Sequence, residues 1–176
     1  MERRIPSVPL ITCDPYFLVW SPADHLYDKD TCHWTGRAKP IKGVIKIDGK
    51  TYRFMGAGEE EILLQKKFEI TSTTSSYIME GAGIRLHIDF FTPLLLTDKQ
   101  LVSRPTSYID WCVESLDKED HSVILMWEFG EELCHHSKEH EPLVGGNSLE
   151  NKVRISWMGR EQQPLLSHSG DAVSID

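Results

Sequence analysis

Apolar and polar positions alternate over several short stretches of this chain, and a period of two marks strands with one face buried. Ile84, Leu86, Ile88 and Phe90 alternate with Arg85, His87 and Asp89. Tyr77-Ile-Met-Glu80 precedes them across Gly81-Ala-Gly83, so residues from about 76 to 91 are expected to form a β-hairpin. The clearest turn is Asp48-Gly49, set between Val44-Ile-Lys-Ile47 and Thr51-Tyr-Arg-Phe54, because an Asp-Gly pair accepts the positive φ values of a type I′ turn. Ile109, Trp111 and Val113 alternate with Asp110, Cys112 and Glu114, and the apolar stretch Val123 to Phe129 follows the polar Asp117-Lys-Glu-Asp-His121. We read this pair as another hairpin. Further strands are expected at about 16–20, 66–73, 153–158 and 172–175, and no stretch carries an apolar repeat at helical spacing over three turns.

Repeated short strands with turn signals between them predict an all-β fold, an antiparallel β-sandwich with a long irregular N-terminal loop. Residues 1–43 are read as an N-terminal extension and loop packing on the sandwich, and residues 44–176 as the sandwich domain. Val173-Ser-Ile-Asp176 begins a strand where the chain ends, which suggests a sandwich truncated at its C-terminus. Residues 21–43 are too polar and turn-rich for regular structure, but their Trp, Tyr and Leu argue against disorder, and loops of this length are commonly functional. Residues 134–152 carry no apolar pattern after Leu133 and are expected to be a surface loop.

Composition narrows the function classes. A chain of 176 residues, 40% hydrophobic and 26% charged, has the make-up of a globular domain able to bury a sizeable core. Its formal net charge of −8, with no basic run, argues against nucleic acid as a partner. No apolar run is long enough to span a bilayer, and Met1-Glu-Arg-Arg-Ile-Pro lacks the apolar core of a signal peptide. Cys13, Cys32, Cys112 and Cys134 form no C-x-x-C pair. Free, mostly buried thiols are the expectation, with a Cys13–Cys32 bridge as the alternative in an oxidising compartment.

Asp24, His25, Asp28, Asp30 and His33 crowd the long loop, but the spacing lacks the glycine and terminal glutamate of a calcium loop. Turn capping by Asp24 and Asp28 is the favoured reading. Cys134, His136 and His140 offer sulfur and nitrogen ligands, the two histidines at the spacing of one helix face. Their setting reads as a solvated loop, so they remain weak candidates and no metal is assigned. No G-x-S-x-G elbow, phosphate loop or cofactor motif is present, so no catalytic residue and no cofactor is assigned. His33-Trp34-Thr35-Gly36 places an aromatic face beside hydrogen-bonding groups, a pattern suited to core packing, to a partner domain or to a small polar ligand.

The segments Leu10-Ile-Thr-Cys-Asp-Pro-Tyr-Phe17, Trp20-Ser-Pro-Ala-Asp24, His33-Trp-Thr-Gly36 and Ile47-Asp-Gly-Lys-Thr-Tyr-Arg-Phe-Met-Gly56 together resemble the N-terminal region of the glutaminase A-like family of secreted bacterial and fungal proteins. Phe90-Phe-Thr-Pro-Leu-Leu95, Ser103-Arg-Pro105, Tyr108-Ile-Asp-Trp111, Trp157-Met-Gly159 and Gln163-Pro164 extend the likeness, which weakens over residues 131–152. The resemblance implies a β-sandwich placed ahead of a helical domain of the same polypeptide, with that domain holding most of the chemistry. It implies hydrolysis of L-glutamine to L-glutamate and ammonia by the full-length protein, and an extracellular or periplasmic location. This chain would be the non-catalytic accessory domain, with Asp14, Asp24, His33 and Trp34 facing the partner domain or a ligand. A homodimer through surface left exposed by truncation is a further expectation. The alternative is a carbohydrate-binding module, or part of a glycoside-hydrolase-like enzyme that joins a sandwich to a helical toroid.

Overall fold

The computed structural model describes residues 5–15, 17–134 and 143–161. Strands dominate, as the alternation predicts. A ribbon of β1 (Val8–Thr12) and β2 (Leu18–Ser21) leads through the long loop into β3 (Ile41–Ile47), β4 (Lys50–Met55) and the two-residue β5 (Glu61–Ile62). There follow β6 (Leu64–Ile70), β7 (Thr74–Gly81) and β8 (Ile84–Phe91), then the short helix α1 (Lys99–Val102). The remaining strands are β9 (Tyr108–Ser115), β10 (Val123–Phe129), β11 (Leu143–Glu150) and β12 (Val153–Arg160).

Two four-stranded sheets, ordered β10-β3-β4-β5 and β6-β7-β8-β9, form the sandwich, with β1-β2 and β11-β12 as separate two-stranded ribbons. Among the described residues every pairing is antiparallel except the short parallel contact of β5 with β4. Ile41, Ile45, Ile47 and Phe54 of one sheet and Tyr77, Met79, Leu86, Ile88 and Phe90 of the other point into one core. Trp127 bridges them edge-on, its ring 5.1 Å from Phe54 and 6.3 Å from Phe90. Val8, Leu10, Val19 and Leu26 belong to the same core, so the N-terminal segment packs on the sheets it precedes. No helix among the described residues is long and apolar enough to cross a membrane.

The Asp48-Gly49 hairpin forms with both residues at positive φ, 48° and 90°, and the β7–β8 hairpin turns through Ala82 and Gly83 at 47° and 78°. Other expectations need correction. Residues 109–113 and 123–129 do not pair: β9 joins β8 and β10 joins β3, so the connection 116–122 crosses between sheets. The physical reason is that each strand has one apolar row, and a crossing of about 10 Å lets both rows face the shared core. The 134–152 loop contains β11, whose Gly145-Gly-Asn-Ser stretch has no apolar alternation of its own. Pairing with β12 supplies its register, and Gly146 admits the Trp157 ring where an added Cβ would lie 3.0 Å from the indole nitrogen. β1 has no counterpart in the expected strands; the strand expected at 172–175 lies outside the described residues.

Candidate functional site

The long loop is held by a dense set of hydrogen bonds rather than by repetitive structure. Cys32 pairs with the backbone of Trp20 through bonds of 2.7 and 2.9 Å. The Thr31 hydroxyl donates to Lys39 O at 2.6 Å and accepts from Ile41 N at 2.8 Å. A tight turn follows, closed by His33 N donating to Arg37 O at 2.7 Å and Gly36 N donating to His33 O at 2.8 Å, with Gly36 at φ +85°.

His33 anchors this turn from within, at 1% exposure. Its Nε2 lies 3.3 Å from Pro15 O, which can only accept, so Nε2 carries the proton and Nδ1 accepts from the Thr35 hydroxyl at 2.9 Å. Burial pulls the His33 pKa below its ordinary value, reinforced by the Lys39 and Arg37 charges and opposed by the Pro15 bond. The ring is therefore a neutral strut. Trp34 next to it is 53% exposed at the tip of the turn, which sets aside core packing for this residue.

Asp14 sits beside this turn in sequence-distant but bonded surroundings: its carboxylate accepts from Phe17 N at 3.0 Å, and the following Pro15 carbonyl holds His33. His33 thus ties the turn that carries Trp34 to the bend that Asp14 opens. Asp24 belongs to a different turn, where its backbone carbonyl accepts from Gln65 Nε2 at 3.4 Å. Asp28 accepts from His25 N at 3.1 Å, and Asp30 accepts from Ala57 N at 2.9 Å, so these carboxylates cap backbone. Among the described residues no three His, Cys, Asp or Glu side chains converge to hold a metal.

Thr12 and Cys13, just before Asp14, reach the β8–β9 connection. Cys13 Sγ lies 3.3 Å from Ser107 Oγ, which lies 2.6 Å from Thr92 Oγ1, which accepts from Thr12 N at 3.3 Å. That connection exposes Leu94, Leu95 and Leu96 in succession, together with Leu101, and ends at Tyr108, exposed and stacked on Phe91 at 5.3 Å. Trp111 of β9, Phe129 of β10 and Val153, Ile155 and Trp157 of β12 are also exposed.

Arg53 has no place among the expected site residues, yet it organises the loop. It is 6% exposed, and its Nη1 donates to Tyr27 O and Gly56 O at 2.5 Å each, its Nη2 to Gly58 O at 2.9 Å. Glu60 lies 3.5 Å from its Nε. Above it a cleft of about 330 Å³ is lined by Lys42, Val44, Met126 and Glu128. An arginine on the polar row of a strand reads as solvated; only the return of the loop over β4 buries it.

Cys13 and Cys32 are not bridged; where mostly buried thiols are expected, Cys13, Cys32 and Cys134 are half-buried and Cys112 is exposed, because it lies on the face of β9 opposite Ile109 and Val113. Cys134 lies 3.4 Å from Met158 O, and burial pushes its thiol pKa up, which disfavours the thiolate that a metal requires. His136 and His140 lie outside the described residues.

Comparison with known proteins gives three findings. Residues 1–66 match the family described as domain of unknown function DUF4964, and residues 73–175 match domain of unknown function DUF5127. Glutaminase A of Aspergillus oryzae (strain ATCC 42149 / RIB 40) is 31% identical over 129 residues, 68% of this chain and 19% of that protein, so the likeness spans about a fifth of the relative's length. No solved structure matches.

Proposed function

The chain belongs to the family described as domain of unknown function DUF5127, and from that premise we propose that it is a non-catalytic accessory domain of an exported glutaminase-like hydrolase. The glutaminase A-like resemblance read from the sequence is borne out by the match to that enzyme. The reaction assigned to the longer polypeptide is hydrolysis of the L-glutamine side-chain amide to L-glutamate and ammonia, in the extracellular or periplasmic space. The chain's own part is to scaffold a helical domain of the same polypeptide.

The observation that carries this reading is the contrast of exposed and buried apolar groups. A close-packed core coexists with Trp34 at an anchored tip and an uncovered run of Leu94, Leu95 and Leu96. Leaving such groups in water costs on the order of 25 cal/mol per Å² of apolar surface, which a covering domain recovers. We place the docking side chains at Asp14 and Trp34, with Asp24 on a separate turn; the expectation that His33 faces the partner is corrected by its burial, which leaves it as the strut that aims Trp34. Without that cover, the same surface would support homodimers.

Ammonia release from L-glutamine, measured for this chain and for a longer polypeptide that carries it, tests the proposal. Turnover by the longer protein alone is expected; turnover by this chain would overturn it. The half-exposed Trp34 on a rigid turn favours one second reading, a glycan-binding module. That reading requires a fluorescence change on titration with oligosaccharides that Trp34→Ala abolishes.

A further inference from the structure

At one end of the sandwich the β3–β4 turn, the β7–β8 turn and the β9–β10 connection meet around His121, whose side chain is 12% exposed. Its Nδ1 lies 2.6 Å from Asp48 Oδ2, and its Nε2 lies 3.0 Å and 3.2 Å from the two oxygens of Asp117. A neutral imidazole has a single N–H and can donate to only one carboxylate, whereas imidazolium donates to both. The neutral ring would also aim a lone pair at the other carboxylate. Proton occupancy at His121 therefore decides whether the two acids are tied together.

The two acids stand on different sheets' connections. Asp48 is fixed in its turn, its Oδ1 accepting from Ser122 N at 2.8 Å and its N–H donating to Ser122 O at 3.0 Å. Asp117 starts the crossing segment, accepting from Glu119 N at 3.0 Å and from the Ser115 hydroxyl at 3.1 Å. Gly83 permits the close approach, since an added Cβ would fall 2.3 Å from Asp117 Oδ2 and 2.7 Å from His121 Nε2. Leu116 N donates to Gly83 O at 2.7 Å and holds the near end of the segment. Glu119, Asp120 and His121 form one wall of a cleft of about 310 Å³ whose apolar lining includes Ile84, Trp111, Val113 and Val123. The charged groups facing His121 are thus Asp48 and Asp117, while Glu119 and Asp120 line the cleft beside it and Lys118 lies in the same segment.

We propose that Asp48, His121 and Asp117 form a proton-operated clasp that pins the β9–β10 connection beside this apolar cleft and releases its Asp117 arm when His121 loses its proton. This goes beyond the accessory role and does not depend on it. The Asp48 and Asp117 hydrogen bonds raise the His121 pKa above its ordinary value, while Asp48 is held below the usual carboxylate range and Asp117 down to about 2. The signs agree. The imidazolium's contribution is complete below its unfolded pKa of about 6.5 and is lost as pH rises through the higher folded value. The carboxylates' contribution is present above their unfolded pKa and lost as pH falls through the depressed folded ones. The clasp therefore holds in mildly acidic medium and opens in alkali.

Hydrogen exchange of the whole chain, corrected for intrinsic rates and followed from pH 5.5 to pH 9, tests this together with an NMR titration of the His121 ring. Protection over residues 116–122 should fall about fivefold or more while that of β3 and β4 stays constant, which separates local opening from unfolding. His121→Gln, a neutral donor at the same place, should make the profile of 116–122 flat. Asp48→Asn with Asp117→Asn should move the His121 midpoint down towards about 6.5; asparagine tolerates the positive φ of position 48. A wild-type midpoint at or below about 6.5, or a fall in protection that persists in His121→Gln, overturns the clasp.

Discussion

The chain up to Phe91 and the chain after it use the same alternating pattern to opposite ends. Before that point Val19, Ile41, Ile45, Phe54, Met79 and Leu86 are wholly buried; beyond it Leu133 is the buried apolar residue among the described ones. The later strands are as regular, yet Trp111, Ile124, Phe129, Ile155 and Trp157 remain exposed. In both segments the described strands pair in regular ladders. They differ in how completely the opposing layer covers the apolar row, since Ile109, Val113, Val123, Leu125 and Trp127 are only partly buried against the core. A strand pattern thus guarantees a ladder, and only an opposing surface turns it into a core.

The largest effect that would break this contrast is in the core itself. Phe54→Ala should cost about 3–5 kcal/mol by denaturant unfolding, whereas Trp157→Ala should cost less than about 1 kcal/mol. Equal losses would mean that the late strands contribute as much as the early ones. Next in size is Arg53→Met, which leaves the Tyr27, Gly56 and Gly58 carbonyls without their donor. A loss of about 2–3 kcal/mol is expected, with hydrogen exchange quickening in residues 24–30 before the sheets.

A pH scan separates the two ends of the fold in another way, because they carry histidines of opposite sense. His33 is buried and neutral, so its contribution is complete above the unfolded pKa of about 6.5 and fades as pH falls through its depressed folded value. Acidification should therefore loosen residues 31–37 while the connection 116–122 tightens, a crossing visible in residue-resolved exchange. Two parallel profiles would refute it. The smallest effect belongs to Trp34→Ala, which should leave the stability of this chain within about 0.5 kcal/mol while weakening assembly with a covering domain, as read by calorimetric titration.

Much of the sheet structure was legible in the residues. Asp48-Gly49 and Gly81-Ala-Gly83 announce their hairpins because the turn geometry rests on local backbone preference, and Ile84 to Phe90 announce their strand because one face is buried. β11 was not legible, since Gly145-Gly-Asn-Ser owes its strand form to the partner β12. Trp34 was legible as a special residue but not in its role, because solvent exposure depends on the Pro15 and Thr35 contacts that hold His33. Arg53 and His121 were invisible as organising groups. Their partners lie up to 26 and 73 positions away, and nothing in the local pattern distinguishes a bonded polar side chain from a solvated one.

The strand class, the main hairpin turns and the family resemblance could be read from the residues in order, because all of them rest on short-range preference and on residue identity. Tertiary structure alone decided that β9 and β10 part to opposite sheets, that the irregular N-terminal loop is locked by Arg53, and that His121 sits between two acids. The reason is physical: period and turn chemistry are properties of neighbours along the chain, whereas layering, burial and charge pairing come from residues that meet only after the sheets have closed on one another.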